Sequence, residues 1–140
     1  MINAFVNIPV DVAVGAIVPF NGHRAQTRGS SYCNGGWLNH NDGSGQFLIS
    51  RPGIYMVSVG AQVTSATAAT DVSMAITTNG ETLAGTSMAE TITAADDVAQ
   101  LATTALLTVP CGASITVALA NVGAAPVTVN TASLVLTRVA

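Results

Sequence analysis

Two histidines and their nearest acid are the side chains best suited to chemistry in this sequence: His23, His40 and Asp42. A His-x-Asp pair is a fragment of a metal site or of an oriented general base. No Ser or Cys nucleophile motif accompanies it, no phosphate-cradling Gly loop is present, and a zinc site needs further ligands. The expected reading is therefore a pair of solvent-facing loop histidines, with no catalytic residue, no metal and no cofactor. Asp96-Asp97 is the one adjacent acidic pair. Such carboxylates, joined by loop carbonyls, can hold Ca²⁺, which takes six to eight oxygens; a solvated turn is the plainer expectation. Tyr32 and Trp37 lie in a Gly/Asn-rich stretch, where an aromatic serves either as a contact for a ligand or as a cover for the end of a core. Tyr32, Trp37, His40 and Asp42 are thus the candidate ligand loop. Cys33 and Cys111 fit no zinc or redox spacing and read as two free, buried thiols, with a long-range disulfide as the alternative in an oxidising medium.

The elements that must position these residues are strands. Period-2 alternation recurs, no long segment keeps a helical period, and Gly, Asn or Pro punctuates the chain at short intervals. The clearest strand is Ile54 to Thr64, with Tyr55, Val57, Val59, Ala61 and Val63 on one face and Met56, Ser58, Gly60 and Gln62 on the other. It follows a strand at Gln46–Ser50 and an Arg51-Pro52-Gly53 turn. Val72, Met74 and Ile76 mark the next strand, and Asn79-Gly80 predicts a tight hairpin because both residues tolerate positive φ. Its return arm is Thr82 to Met88. Strands at Ala99–Val109, Ala113–Asn121 and Val127–Val139 complete the second half, with turns at Ala94–Asp97, Pro110–Gly112 and Val122–Ala125. Earlier, Asp11 to Phe20 reads as a first strand. Asn21 to Gly45 reads as a long loop with short strands near Tyr32 and Trp37. The expected architecture is all-β: a two-sheet jelly-roll sandwich of eight to ten antiparallel strands, with residues 1–10 as an N-terminal arm and residues 11–140 as the domain.

Composition narrows the function. Of 140 residues, 49% are apolar and only 8% charged, against about 25% charged in ordinary soluble domains. There is no lysine; the basic residues are Arg24, Arg28, Arg51 and Arg138, and the net charge is −3. Nucleic-acid binding is disfavoured, because scattered arginines do not displace a counterion atmosphere. Membrane insertion is disfavoured too: no apolar run approaches the roughly 20 residues of a spanning helix, and the start does not read as a signal peptide. A surface so poor in charge suits burial against other subunits. Strands with two apolar or small faces point the same way. Away from the core face they offer Met56, then Ala102, Thr104 and Leu106, then Thr116, Ala118 and Ala120. The assembly candidates are accordingly the core set Phe47, Tyr55, Val57 and Val59 with Met56, Leu106, Ala118 and Ala120.

Three segments in order carry a resemblance: Phe47-Leu48-Ile49-Ser50-Arg51-Pro52-Gly53-Ile54-Tyr55-Met56-Val57-Ser58; Met74-Ala75-Ile76-Thr77-Thr78-Asn79-Gly80-Glu81; and Leu106 to Gly112, then Ile115-Thr116-Val117, closing on Ala132 to Arg138. Over residues 12 to 139 this order resembles the globular heads of complement-component and tumour-necrosis-factor-like proteins, with Phe47, Gly53 and Tyr55 at the matching positions. The closing strand lacks the aromatic-rich ending of animal members, and aromatics and charges are scarce throughout. The chain is more similar to the bacterial and bacteriophage versions. The resemblance implies a ten-stranded jelly roll that trimerises through one apolar face. It further implies a non-enzymatic virion subunit, a capsid decoration or fibre head whose partners are itself and capsid or fibre proteins. The alternative it offers is a head on a bacterial cell or spore coat that binds a glycan or protein through Tyr32, Trp37, His40 and Asp42.

Overall fold

A computed structural model describes residues 1–26, 37–67 and 70–140, without the Ala25 side chain. Among the described residues twelve strands run in order: β1 (Ile2–Val6), β2 (Val10–Val12), β3 (Gly22–Gln26), β4 (Leu38–Asn39), β5 (Phe47–Ile49), β6 (Gly53–Thr64), β7 (Thr70–Thr78), β8 (Glu81–Thr82), β9 (Met88–Ile92), β10 (Val98–Val109), β11 (Ile115–Asn121) and β12 (Val127–Arg138). They form two antiparallel six-stranded sheets, the expected jelly-roll sandwich. Sheet A has the order β10-β6-β12-β1-β3, with β2 beside β12; sheet B has the order β4-β5-β11-β7-β8, with β9 beside β7. Among the described residues no helix is long and apolar enough to cross a membrane.

The alternation of β6 sets the geometry. Tyr55, Val57, Val59, Ala61 and Val63 are buried, while Met56, Ser58, Gly60 and Gln62 face outward. Because side chains change face at every residue, the register with β10 (Tyr55↔Leu107, Met56↔Leu106) and with β12 (Val57↔Leu136, Val59↔Leu134) stacks one inner and one outer row across three twelve-residue strands. Sheet B answers with Phe47, Ile49, Val72, Met74, Ile76, Val117 and Leu119, all buried. Gly53 (φ +150) must lack a side chain, since a Cβ there would stand 2.5 Å from the Arg138 guanidinium and 2.6 Å from the Ala140 carbonyl. Asn79 (φ 52) and Gly80 (φ 85) form the expected hairpin turn.

Several expectations are corrected. Residues 1–10 are not a free arm: β1 lies inside sheet A, between β12 and β3, with Ile2, Ala4 and Val6 buried. Asp11 to Phe20 is not one strand. The chain leaves β2 at a turn containing Gly15 (φ 80) and crosses to sheet B, where Ile17 bridges Ala120. Within Asn21 to Gly45, β4 is the short strand expected near Trp37, whereas β3 was not expected; Tyr32 and Cys33 lie outside the described residues. The return arm after Gly80 pairs with β7 twice, as β8 and as β9, with an excursion between them held by Thr86 Oγ1, which bonds the Ile76 backbone N–H and C=O at 3.2 Å each. Cys111 is an exposed free thiol, because it occupies the Pro110–Gly112 turn where Gly112 (φ 74) reverses the chain.

Candidate functional site

The outer face of sheet A carries few charges. The outward residues of β6 are Ile54, Met56, Ser58, Gly60, Gln62 and Thr64; those of β10 are Val98, Gln100, Ala102, Thr104, Leu106 and Thr108; those of β12 include Ser133, Val135 and Thr137. None is ionisable. Beyond them β1 adds Asn3 and Phe5. The charges lie at the margins of this face: Glu90 on β9, whose carboxylate accepts from Gln100 N at 3.1 Å on the free edge of β10; Arg138 at the end of β12; Arg24 on β3, which donates to Asn3 Oδ1 at 3.0 Å and lies 5.3 Å from the Phe5 ring centroid; and Asp11 on β2, which accepts from Thr128 Oγ1 at 2.7 Å. Leu106 is 63% exposed and sits opposite Met56 in the β10–β6 register. Gly60 leaves a shallow depression of about 600 Å³ at the middle of the face, bordered by Gln62, Gln100, Ala102, Thr131 and Ser133. A flat, uncharged, partly apolar face of this kind can meet another protein surface without desolvating an ion.

The assembly candidates divide over the molecule. Phe47, Tyr55, Val57 and Val59 lie in the core between the sheets. Met56 and Leu106 are together on the outer face of sheet A. Ala118 and Ala120 belong to sheet B, opposite Thr77 and Ala75, and all four are buried within the chain. One flat face therefore cannot include both Leu106 and Ala118.

The ligand-loop candidates divide as well. Trp37 is folded back: its ring lies 6.0 Å from that of Tyr55, the Arg51 guanidinium lies 5.5 Å from its centroid, and it packs against the core. Tyr55 is itself fixed by its hydroxyl, which donates to the Arg51 carbonyl at 2.9 Å; burial pushes the phenol above its ordinary pKa. Asp97 closes its own turn, its carboxylate accepting from Ala94 N at 3.2 Å, with Asp96 at positive φ.

His40 is not a solvent-facing loop residue. It is 2% exposed, stacked on Phe47 (centroids 4.2 Å apart, planes 12° apart) with Phe20 edge-on at 6.4 Å. Its Nε2 lies 2.8 Å from the Ser44 carbonyl. A carbonyl only accepts, so Nε2 carries the proton and Nδ1 of the neutral ring presents a bare lone pair. That Nδ1 is buried without a partner. Burial lowers the His40 pKa, the Ser44 hydrogen bond opposes this, and nearby His23 lowers it further while Asp42 raises it. The following turn is pinned to the segment before β3: Gly43 N donates to Phe20 O at 2.8 Å, and Phe20 N to Ser44 O at 3.1 Å. This brings Asp42 to His23, with Nδ1 and Oδ1 2.7 Å apart. His23, His40 and Asp42 each offer one donor atom within 4.8 Å of the others, the only such convergence of His, Cys or acidic side chains among the described residues. In the sequence only the His40-x-Asp42 spacing marks a pair; His23 joins it in space because the chain doubles back at the turn containing Gly43 (φ 85).

No protein-family model and no curated protein matches this sequence. Solved structures do. The globular domain of zebrafish complement 1qA protein superposes with a TM-score of 0.65 at 12% identity, covering 99% of this chain and 98% of that one. Eiger, a tumour necrosis factor from S. frugiperda, gives 0.65 at 14% identity, covering 99% and 92%. The PRD1 vertex protein P5 is a more distant likeness, 0.45 at 13% identity over 95% and 93%. The fold is thus that of complement and tumour-necrosis-factor heads.

Proposed function

We propose that this chain is a non-enzymatic structural subunit, a homotrimeric jelly-roll head that assembles through the outer face of β6, β10 and β12. The observation that carries the reading is the absence of any ionisable side chain from the outward rows of those three strands, together with a 63%-exposed Leu106 on an edge strand. In a lone sandwich, water would face this sheet, and charged residues would be expected on it. The likeness to complement and tumour-necrosis-factor heads supports the fold that such assembly uses. The low aromatic and charge content, which resembles the bacteriophage versions of the fold, supports a place on a virion as capsid decoration or fibre head, with capsid or fibre proteins as partners. A glycan-binding surface head draws less support, since Trp37 is held against Tyr55 and Arg51.

The test is the solution mass by sedimentation equilibrium. Three times the 14.0 kDa of the chain is expected, and a monomer at micromolar concentration would overturn the reading. For location, an antibody to the folded chain is expected to decorate purified particles; labelling of the host cell or spore surface instead would move the head there.

A further inference from the structure

We propose that His23, His40 and Asp42 form a binding site for one divalent transition-metal ion of the zinc class. The inference is independent of the trimer, because His23 pairs with the inward-facing Ala4 rather than with the uncharged face. Its strongest support is the orphaned Nδ1 of His40. Buried polar atoms in folded proteins nearly always have a partner, and this one is an acceptor on a residue whose companions in the cluster, His23 and Asp42, are also metal-ligating types. The proton on Nε2, fixed by the Ser44 carbonyl, leaves Nδ1 as the only atom of the ring able to bind a cation. Metal-ligating histidines commonly give their second ring N–H to a backbone carbonyl in this way, which orients the ring and sets its tautomer.

The remaining geometry fits. Zinc binds imidazole nitrogen and carboxylate oxygen at about 2.0–2.2 Å, so tetrahedral donors stand about 3.4 Å apart. One donor atom from each residue already lies within 4.8 Å of the others. The adjustment falls on the members able to make it. His40 is fixed between Phe47 and Phe20, whereas the Asp42 side chain is 58% exposed on a turn with Gly43, and His23 is 26% exposed. Two imidazoles and one carboxylate favour Zn²⁺, Co²⁺ or Ni²⁺ over Mg²⁺ or Ca²⁺, which prefer all-oxygen shells. The solvent-facing side leaves room for a water as fourth ligand. A bound ion would clasp β3 to the turn after β4 and stabilise the folded state by mass action.

Zinc chloride is the probe, added to the chelator-treated full chain in its native assembly. The expected result is saturable calorimetric binding of one ion per chain, a rise in Tm with added zinc, and visible d–d bands of four-coordinate Co²⁺ that zinc removes. His23→Ala and Asp42→Asn alter partly exposed side chains, so both variants are expected to fold with little change in metal-free Tm. Each should weaken zinc by about 100-fold or more and lose the Tm rise. Cys111→Ser should bind as the parent does. Absence of saturable binding, equal binding by both cluster variants, or loss of binding in Cys111→Ser would each overturn the proposal.

Discussion

Leu106→Glu places a carboxylate on the outward row of β10, opposite Met56. Full burial of a leucine contributes about 1.5–3 kcal/mol. With 63% of the side chain still exposed in the isolated chain, an interface has about 1–2 kcal/mol per subunit left to gain there. Three equivalent copies make that roughly 3–6 kcal/mol per trimer, or about a hundred- to ten-thousand-fold in the assembly constant. Removing a carboxylate from water adds several kcal/mol per ion. The three-fold arrangement would also bring like charges together. The substituted chain should therefore sediment as a monomer at micromolar concentration. Its own fold should be nearly untouched, within about 0.5 kcal/mol, since the position is exposed and no bond of the core depends on it. The assay is sedimentation velocity over a concentration series, with thermal unfolding in parallel. A trimer of unchanged strength would refute the assignment of this face, and a monomer that has also unfolded would refute the claim that Leu106 lies outside the core.

Tyr55→Phe removes the hydroxyl bonded to the Arg51 carbonyl and should cost about 0.5–1.5 kcal/mol, read as a Tm lowered by a few degrees; an unchanged Tm would mean the bond adds nothing. Gly80→Ala keeps free space around the new Cβ, with nothing within 4 Å, but holds it at φ 85. Its cost of about 1–2 kcal/mol is thus purely conformational, and chemical denaturation should show a lower midpoint with the same slope. Stability should also depend on pH through His40. Its folded pKa lies below the 6.5 of an unperturbed histidine because burial disfavours the cation. As pH falls through 6.5 the unfolded chain takes up a proton that the folded chain resists, so stability declines until the lower folded pKa is passed. The groups facing the ring are His23 from β3 and Asp42 from the adjoining turn. Denaturant midpoints between pH 7 and 5 should fall more steeply for the parent than for His40→Phe; parallel curves would remove His40 from the account.

The parts of the fold legible in the sequence are those settled by near neighbours. Tyr55 to Val63 alternates without a break, and Asn79-Gly80 can hardly form anything but a tight turn. What escaped depends on remote partners. Ile2, Ala4 and Val6 alternate too, but it takes β12, at the other end of the chain, and β3 on the opposite side to make an inner strand of them. Asp11 to Phe20 is mostly apolar and reads as one strand, yet the turn at Gly15 takes it from one sheet to the other. The off-core alanines looked alike on β10 and β11. Their exposure differs because Ala118 and Ala120 face Thr77 and Ala75 across sheet B, whereas Ala102 sits on an edge strand of sheet A. At the histidine cluster the residue types were legible and the burial was not, since a polar, Gly-rich neighbourhood conceals that His40 stacks on Phe47.

The antiparallel pairing of β1 with β12, Ile2 against Leu136 through Val6 against Ala132, brings the two chain ends to the same end of the sandwich. A load applied between them would act across the ladder and peel its hydrogen bonds one at a time from Ile2 onward, as a zipper opens. A load entering through one end and leaving through the outer face of sheet A would instead run along the strands and strain many bonds together. The same sandwich is thus mechanically soft when pulled by those two ends and stiff when held by one end and by that outer face.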